Sequence, residues 1–200
     1  MSMDSPPSSI PALTHPGVIW AHSLAPEVRV PLTLVTERLR LVPADVRHAE
    51  ALACALNASY TLHREFLAWS QPHWTLEQAA ESLELAARDF FRCGAEKRYL
   101  VLPRNGAPEI VGCIGLMPGP TENEDFEIGY WANQRHAGQG LMKEALAALL
   151  VLLEGQSLYL TTASANTASQ RLAKSVGFTQ VETLPAVEPD GSDSFVFRRH

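Results

Sequence analysis

The sequence predicts one domain of mixed α/β (α+β) fold, in which a largely antiparallel central sheet of about seven strands is flanked by helices. Apolar patterns follow the order strand, two or three helices, three strands, helix, strand, helix and two strands. Short turns between neighbouring strands favour antiparallel hairpins, whereas the later strand–helix–strand unit needs a crossover and favours parallel pairing. The chain has 200 residues, 46% apolar and 19% charged, which suits a single globular domain.

The chain divides into a proline-rich N-terminal arm over residues 1–31 and a folded domain over residues 32–200. The arm contains six prolines. Each proline fixes φ and removes a backbone donor, so a packed helix or a central strand is not expected there. Alternation from Leu32 to Val42 then predicts the first strand of the domain.

Charge and composition exclude several classes of protein. The net charge of −6 argues against nucleic acid as a main partner and suits a cationic substrate, although many globular proteins carry a similar excess. No apolar run is long enough to span a membrane, and the start does not resemble a secretory signal. Three scattered cysteines, Cys54, Cys93 and Cys113, predict neither a disulfide framework nor a metal site. We therefore expect a cytoplasmic protein without a bound metal.

The helical half follows the first strand. Asp45 is expected to cap a helix that ends near Asn57, and Tyr60 to Trp74 form an aromatic-rich second segment. Thr75 with Gln78 three residues later is a capping box, which predicts a helix start. The expected apolar face of that helix comprises Leu76, Ala79, Ala80, Leu83, Ala87, Phe90 and Phe91.

The strand-rich half follows the helices. Predicted strands cover residues 98–103, 109–117, 125–132, 157–163, 178–184 and 194–198. Predicted helices cover residues 141–154 and 166–176, with Gly155 and Gly177 at their ends. Asn105-Gly106 and Pro189 to Gly191 are turn signals.

The most informative segment runs from Arg135 to Gly140, between a strand and a helix. Its glycines let the backbone approach a ligand, and the free N–H groups of the next helix point at the loop. Such a loop suits a pyrophosphate, although two glycines at this junction are also compatible with a plain turn. The spacing matches neither a Walker loop nor a dinucleotide fingerprint.

The chain resembles the GNAT acetyltransferases, in particular their RimJ/RimL-like branch of ribosomal-protein N-terminal acetyltransferases. The resemblance covers about residues 33–199, so residues 32–200 are identified as a GNAT acetyltransferase domain. Five stretches in the family's order carry it: Thr36-Glu-Arg-Leu-Arg-Leu41, Ile110 to Gly115, Glu127-Ile-Gly-Tyr-Trp131, Arg135-x-x-Gly138-x-Gly140, and Asn166-Thr-Ala-Ser169 with Val176-Gly-Phe178.

This resemblance implies acetyl-CoA as co-substrate, bound in a cleft where the fourth and fifth strands separate. Its pantetheine arm would lie beside the end of the fourth strand, and its pyrophosphate on the loop amides. The implied cofactor-binding residues are Trp131, Ala132, Asn133, Arg135, His136, Ala137, Gly138, Gln139, Gly140, Leu141 and Asn166. Asn166 is equally suited to be an N-cap, and His136 is expected to act through its backbone N–H.

The resemblance also implies catalytic roles. Ser169 matches the serine proposed to protonate the leaving thiolate, and Glu127 lies where other members carry a base. Ser169 is also compatible with a surface helix serine, and Glu127 with a structural ion pair. Many members carry a tyrosine where this chain has Ala173. The implied acceptor-side residues are Tyr60, His63, Glu65 and Trp69, of which Trp69 also suits core packing.

The predicted function is an N-acetyltransferase that transfers an acetyl group to a primary amine by direct attack in a ternary complex. The acceptor is a protein N-terminus or a small amine, such as a metabolite or an antibiotic. The alternatives are a non-catalytic acyl-CoA-binding or sensor module, and an interaction protein that acts through its proline-rich arm. A homodimer is expected by resemblance only.

Overall fold

The structure is a computed structural model that describes residues 19–20, 30–121, 125–188 and 190–200. Most of the predicted arm, residues 1–18 and 21–29, lies outside the described residues. So does Pro189 of the predicted final turn.

The described chain forms nine strands and four α-helices. The strands are β1 (Ile19–Trp20), β2 (Pro31–Val35), β3 (Leu39–Pro43), β4 (Lys97–Pro103), β5 (Gly112–Pro118), β6 (Phe126–Ala132), β7 (Leu158–Ala163), β8 (Thr179–Leu184) and β9 (Ser194–Arg199). The helices are α1 (Ala49–His63), α2 (Leu76–Phe90), α3 (Leu141–Leu152) and α4 (Thr167–Ser175). Short 3-10 turns at Val46–His48 and Gln134–His136 precede α1 and α3.

All strands form one sheet in the order β1-β2-β3-β4-β5-β6-β7-β9-β8. Every neighbouring pair is antiparallel except β6 and β7, which are parallel as the crossover predicted. The fold class is therefore confirmed.

The expected number of about seven strands was too low, because the single strand predicted over Leu32–Val42 is a hairpin of β2 and β3. The Thr36 N–H donates to the Leu39 carbonyl at 2.9 Å, and the Thr36 hydroxyl accepts from the Leu39 N–H at 3.0 Å. These bonds close a tight turn that contains neither glycine nor proline. The alternation of apolar and polar residues therefore continues through the turn, and the sequence carries no turn signal there. The two-residue β1 adds the ninth strand.

The two faces of the sheet carry different helices. Tyr99 and Val101 of β4 pack in the cluster that contains α3, whereas Leu100 and Leu102 pack in the cluster that contains α1 and α2. This alternation follows from the period of two along a strand. No helix of the described residues has the length and apolar character that crossing a membrane requires.

The helices α2, α3 and α4 begin within one residue of their predicted starts. Asp45 caps the 3-10 turn Val46–His48 instead of α1, which begins at Ala49 without a side-chain cap. Thr75 forms the capping box, since its hydroxyl accepts from the Gln78 N–H at 3.1 Å and its own N–H donates to Gln78 Oε1 at 3.0 Å. α1 runs to His63, past the expected end near Asn57. Leu76 and Phe91 were wrongly assigned to the buried face of α2, because they lie at its two ends and are 59% and 57% exposed.

β6 and β7 separate after two paired residues. Their register includes only Phe126 with Leu158 and Glu127 with Tyr159. β6 continues to Ala132 and β7 to Ala163, so the remaining parts of the two strands diverge. Backbone groups on the open edges of both strands are thus available to a ligand, and the site lies in this opening.

Candidate active site

A cavity of about 610 Å³, which we call the loop cavity, lies at the opening between β6 and α4. It is lined by the end of α1, the end of β6, the glycine loop, the first turn of α3 and the exposed side of α4. This volume is within the range of small-molecule sites. The loop cavity is therefore the main candidate for a ligand-binding site.

The glycine loop shapes one end of the loop cavity. Gly138 and Gly140 have φ of +75° and +73°, which a side chain at either position would strain. Gly140 is the N-cap of α3 without a side-chain cap, and the amides of Gly138 to Lys143 find no acceptor among the described residues. Free amides and the positive end of the helix dipole suit an anion, and the pyrophosphate expected here stays a prediction.

The hairpin between β2 and β3 anchors the start of α3. Glu144 accepts from the Thr36 hydroxyl at 2.5 Å, from the Arg38 N–H at 2.9 Å and from Arg38 Nε at 2.6 Å. Arg38 Nη1 also donates to the Gln139 carbonyl at 3.2 Å. Burial raises the pKa of Glu144, but these hydrogen bonds outweigh it and hold the pKa below its ordinary value. The Thr36-Glu-Arg motif thus has a structural explanation.

The structure brings most of the predicted cofactor-binding residues to the loop cavity. Those that line it are Trp131, Ala132, His136, Ala137, Gly138, Gly140, Leu141 and Asn166. Asn133, Arg135 and Gln139 do not line it. The side chain of Asn133 is buried and donates to the Ile110 carbonyl at 2.8 Å while it accepts from the Arg135 N–H at 3.1 Å. The side-chain amide of Gln139 donates through Nε2 to the Arg135 carbonyl at 3.2 Å.

His63 and His136 each have a fixed partner beside the loop cavity. His63 Nε2 lies 2.9 Å from the Ala132 carbonyl, which makes Nε2 the protonated nitrogen. Burial lowers the pKa of His63, so the neutral ring is favoured, and its Nδ1 has no partner among the described residues. His136 Nε2 lies 3.0 Å from Glu109 Oε2.

Ser169 forms a hydroxyl pair with a residue that the sequence analysis did not assign to the site. Tyr130 Oη lies 2.9 Å from Ser169 Oγ and 3.2 Å from the Ser169 carbonyl. Asn166 caps α4 by accepting from the Ser169 N–H at 3.1 Å. Tyr130 was missed because the family pattern directed attention to the helix position of Ala173, although the tyrosine of β6 was visible beside Glu127.

Glu127 lines a second cavity of about 240 Å³ between the diverging strands, which we call the strand groove. Thr162, Ser169 and Glu188 line the same groove. Burial raises the pKa of Glu127 above its ordinary value, and it takes part in none of the ion pairs of the described residues. The alternative interpretation, in which Glu127 forms a structural ion pair, is therefore not supported by the described residues, because Glu127 has no cationic partner among them.

A third cavity of about 470 Å³ lies between the sheet and the α1–α2 side. We call it the ion-pair pocket, after the Glu96–Arg98 pair in its wall. Trp69 lines it and is 47% exposed, so plain core packing does not describe this residue. Tyr60 and Glu65 line none of the three cavities, since Tyr60 lies elsewhere on α1 and Glu65 is exposed in the turn after it.

The three cavities meet at Leu67 and Tyr130, which line all of them. Cys113 lies in the ion-pair pocket wall, and burial raises the pKa of its thiol to about 12. A thiol with such a pKa stays protonated at neutral pH, so Cys113 contributes to packing and does not act as a nucleophile. The described residues contain no cluster of three or more His, Cys, Asp or Glu side chains suited to a metal.

The segment that contains both the diverging strands β6 and β7 and the glycine loop also matches a known protein family. Residues 38–179 match the acetyltransferase (GNAT) domain, so the chain belongs to the GNAT acetyltransferase family. The family predicted from the sequence motifs is thereby confirmed.

The relatives include members of the predicted branch. The ribosomal-protein-serine acetyltransferase of Escherichia coli (strain K12) is 27% identical over 116 residues, which cover 58% of this chain and 63% of that protein. The chain thus matches less than two thirds of the length of that relative. The solved structure of RimL, a ribosomal L7/L12 alpha-N-protein acetyltransferase in complex with coenzyme A, has a TM-score of 0.73 at 25% identity, covering 82% of this chain and 95% of that one.

A second solved structure supports the fold alone. The microcin C7 self-immunity acetyltransferase MccE, in complex with acetyl-CoA and AMP, has a TM-score of 0.73 at 17% identity. The match covers 82% of this chain and 93% of that one.

Proposed function

We propose that this protein is an acetyl-CoA-dependent N-acetyltransferase that acts on a primary amine, either a protein N-terminus or a small molecule. The observation that carries the proposal is the set of free amides from Gly138 to Lys143 at one end of the loop cavity, with the Tyr130–Ser169 pair at the other side. Neighbours of the same fold bind coenzyme A or acetyl-CoA, which supports the co-substrate.

The residues of the loop cavity fit this co-substrate. The amides and the α3 dipole offer an anion site for a pyrophosphate. The open edge of β6 near Trp131 and Ala132 offers backbone groups to an amide-containing arm. Acetyl-CoA supplies an activated acyl group, which the amine attacks directly to form an amide as the C–S bond breaks.

Two protons must move in this reaction, and the chain offers a group for each. The amine must lose a proton, and Glu127 in the strand groove is the proposed acceptor, directly or through water. The sulfur must gain one, and Ser169 Oγ is the proposed donor. Tyr130 Oη lies 2.9 Å from Ser169 Oγ and can donate a proton to Ser169 after Ser169 has given its own to the sulfur. Tyr130 of β6 thus offers a phenol hydroxyl near the site, where many family members carry a tyrosine at the position of Ala173.

The acceptor class has two candidates. RimL and the Escherichia coli relative are named for acetylation of ribosomal proteins, which favours a protein N-terminus. MccE is named for self-immunity to microcin C7, which favours a small molecule. A homodimer and a cytoplasmic location stay predictions.

The test measures acetylation of a panel of peptides and small amines by mass spectrometry, together with release of the coenzyme thiol. Wild type should acetylate at least one class. Ser169→Ala and Tyr130→Phe should lower kcat by about 100-fold and 10-fold, because proton transfer contributes about 10²–10⁴-fold to such steps. The Kd of acetyl-CoA should change little in both variants.

The control is Ser157→Ala, whose hydroxyl faces His200 Nδ1 at 3.1 Å, away from the three cavities. The double variant Ser169→Ala with Tyr130→Phe should have a kcat no lower than that of Ser169→Ala alone, since the two hydroxyls act as one unit. A folded protein that binds acetyl-CoA but acetylates nothing would favour the sensor alternative. Equal rates for wild type and Ser169→Ala would remove the proposed proton donor.

A further inference from the structure

The ion-pair pocket contains a carboxylate–guanidinium pair in an otherwise largely apolar wall. Glu96 Oε2 accepts from Arg98 Nη2 at 2.6 Å and from Arg98 Nε at 3.1 Å, and Arg98 Nη1 donates to Ser82 Oγ at 3.2 Å. The two side chains are only 26% and 32% exposed. Leu52, Leu56, Leu83 and Leu100 complete the wall around them.

Such a pair is not explained by stability. Removing two charges from water costs several kcal/mol, which their attraction repays only in part. Replacement of such a pair by apolar residues is often neutral, so its presence in a cavity wall calls for another reason.

Two glycines give a ligand access to the pair. Arg98, Gly115 and Gly129 are direct neighbours across β4, β5 and β6. Together they form a row on the sheet face that is covered by α1 and α2. A Cβ at Gly115 would lie 2.4 Å from Glu96 Oε1, so the carboxylate lies over the sheet only because this residue is glycine. The glycines therefore form a strip of sheet, the glycine floor, that carries no side chains of its own between the ion pair and β6. The ends of two flexible side chains cover it: the Glu96 carboxylate lies over Gly115, and a Cβ at Gly129 would lie 3.2 Å from the methyl group of Met117.

The ion-pair pocket opens toward the proposed reaction centre. Tyr130 and Trp131 line both this pocket and the loop cavity, and Tyr130 contacts Ser169. Trp69 and Trp74 line the pocket with ring centroids 6.3 Å apart. An amine held near Tyr130 would thus have its neighbouring substituent directed along the glycine floor.

We propose that the ion-pair pocket receives the side chain beside the reacting amine, and that Glu96 and Arg98 select an uncharged group that both donates and accepts hydrogen bonds, a hydroxyl or a carboxamide. The proposal rests on the proposed function. Glu96 and Arg98 cancel in charge, so a cationic or anionic side chain would leave one charge in excess in a poorly solvated place. Arg98 keeps N–H groups that no described acceptor uses, and Glu96 keeps lone pairs, so a group with both functions satisfies both.

The experiment uses tripeptide amides and amino-acid amides that differ only in the first side chain: serine, asparagine, aspartate, lysine or leucine. For wild type, kcat/KM for serine or asparagine should exceed that for the other three by about tenfold or more, since sites built to hydrogen-bond a group reject analogues without it. Serine against asparagine distinguishes a hydroxyl from a carboxamide.

Two variants test the role of the pair. The double variant Glu96→Gln with Arg98→Met removes both charges and leaves no lone buried charge. Gly115→Ala keeps both charges but displaces the flexible end of Glu96. Both should reduce the preference to less than about threefold while the KM of acetyl-CoA stays unchanged. The control is Asp89→Asn with Arg92→Met, which removes an ion pair at the end of α2 that lines none of the three cavities and should keep the preference.

The outcomes separate this proposal from the proposed function. Acetylation with no preference, with a preference for charged or leucine side chains, or with a preference that both variants retain would overturn the pocket proposal alone. Acetyl-CoA binding without acetylation of any member would overturn it together with the proposed activity. A preference lost in both variants and kept in the control would establish it.

Discussion

Glu127 lies in the strand groove, half-buried and outside the ion pairs of the described chain. Burial alone raises the pKa of its carboxyl above the ordinary value near 4.5. A carboxylate whose pKa moves toward neutrality becomes a better proton acceptor, provided that the pH keeps it ionised. The residue that the family resemblance implies as a base thus has a physical environment suited to that role.

This predicts an acid limb in the pH dependence of the acceptor kcat/KM. The rate should fall as the pH drops through the raised pKa of Glu127, at a pH above 4.5. Glu127→Gln should lower the rate at neutral pH and remove this limb. Its Tm at neutral pH should not fall, because a raised pKa means that the ionised carboxylate costs the folded state stability. A limb that persists in the folded variant would assign the base to another group.

At the scale of elements, the start of α3 depends on a contact between segments far apart in the chain. Glu144 lies in the first turn of α3 and holds Thr36 and Arg38 of the β2–β3 hairpin. Arg38 in turn reaches the Gln139 carbonyl of the glycine loop. The hairpin therefore fixes the direction of the loop amides.

Glu144→Gln should weaken this anchor. We expect a loss of roughly 1–2 kcal/mol in the free energy of unfolding and a higher KM for acetyl-CoA. This is at the low end for hydrogen bonds to a charged group, because the half-exposed Arg38 is screened by solvent. The pKa of Glu144 is lowered in the folded state, so its contribution is present at neutral pH and lost as the pH falls through that pKa.

Denaturant unfolding of wild type and Glu144→Gln at several pH values measures this contribution. The difference between the two proteins should shrink toward acid pH. A difference independent of pH, or an unchanged KM with reduced stability, would show that the anchor does not position the loop.

At the scale of the whole molecule, the sheet places three cavities around one point. Divergence of β6 and β7 opens the loop cavity and the strand groove, and the helices α1 and α2 cover the ion-pair pocket on the other side. Leu67 and Tyr130 border all three. The fold thus brings the proposed co-substrate site and two further cavities together at one point.

Local patterns predicted the local parts of this arrangement. The capping box at Thr75, the glycine loop and the asparagine cap at Asn166 each depend on residues within a few positions. The Thr36 hairpin has no glycine or proline, so its turn was hidden in a continuous alternation. The Glu96–Arg98 pocket and the Tyr130–Ser169 pair depend on how strands and helices meet, which periodicity does not encode.

The proposed roles of the other residues depend on binding of the anionic part of acetyl-CoA by the glycine loop, which calorimetric titration measures. Gly138 and Gly155 have φ of +75° and +83°, and a Cβ at either would meet no atom within 4 Å. Gly138→Glu and Gly155→Glu therefore carry a similar strain of about 1–2 kcal/mol, but only the first lies in the loop.

Wild type and Gly155→Glu should bind acetyl-CoA with a Kd on the order of micromolar, and Gly138→Glu should bind at least about tenfold more weakly at equal thermal stability. A folded wild type that does not bind, or a Gly138→Glu variant that binds as tightly as Gly155→Glu, would contradict the account.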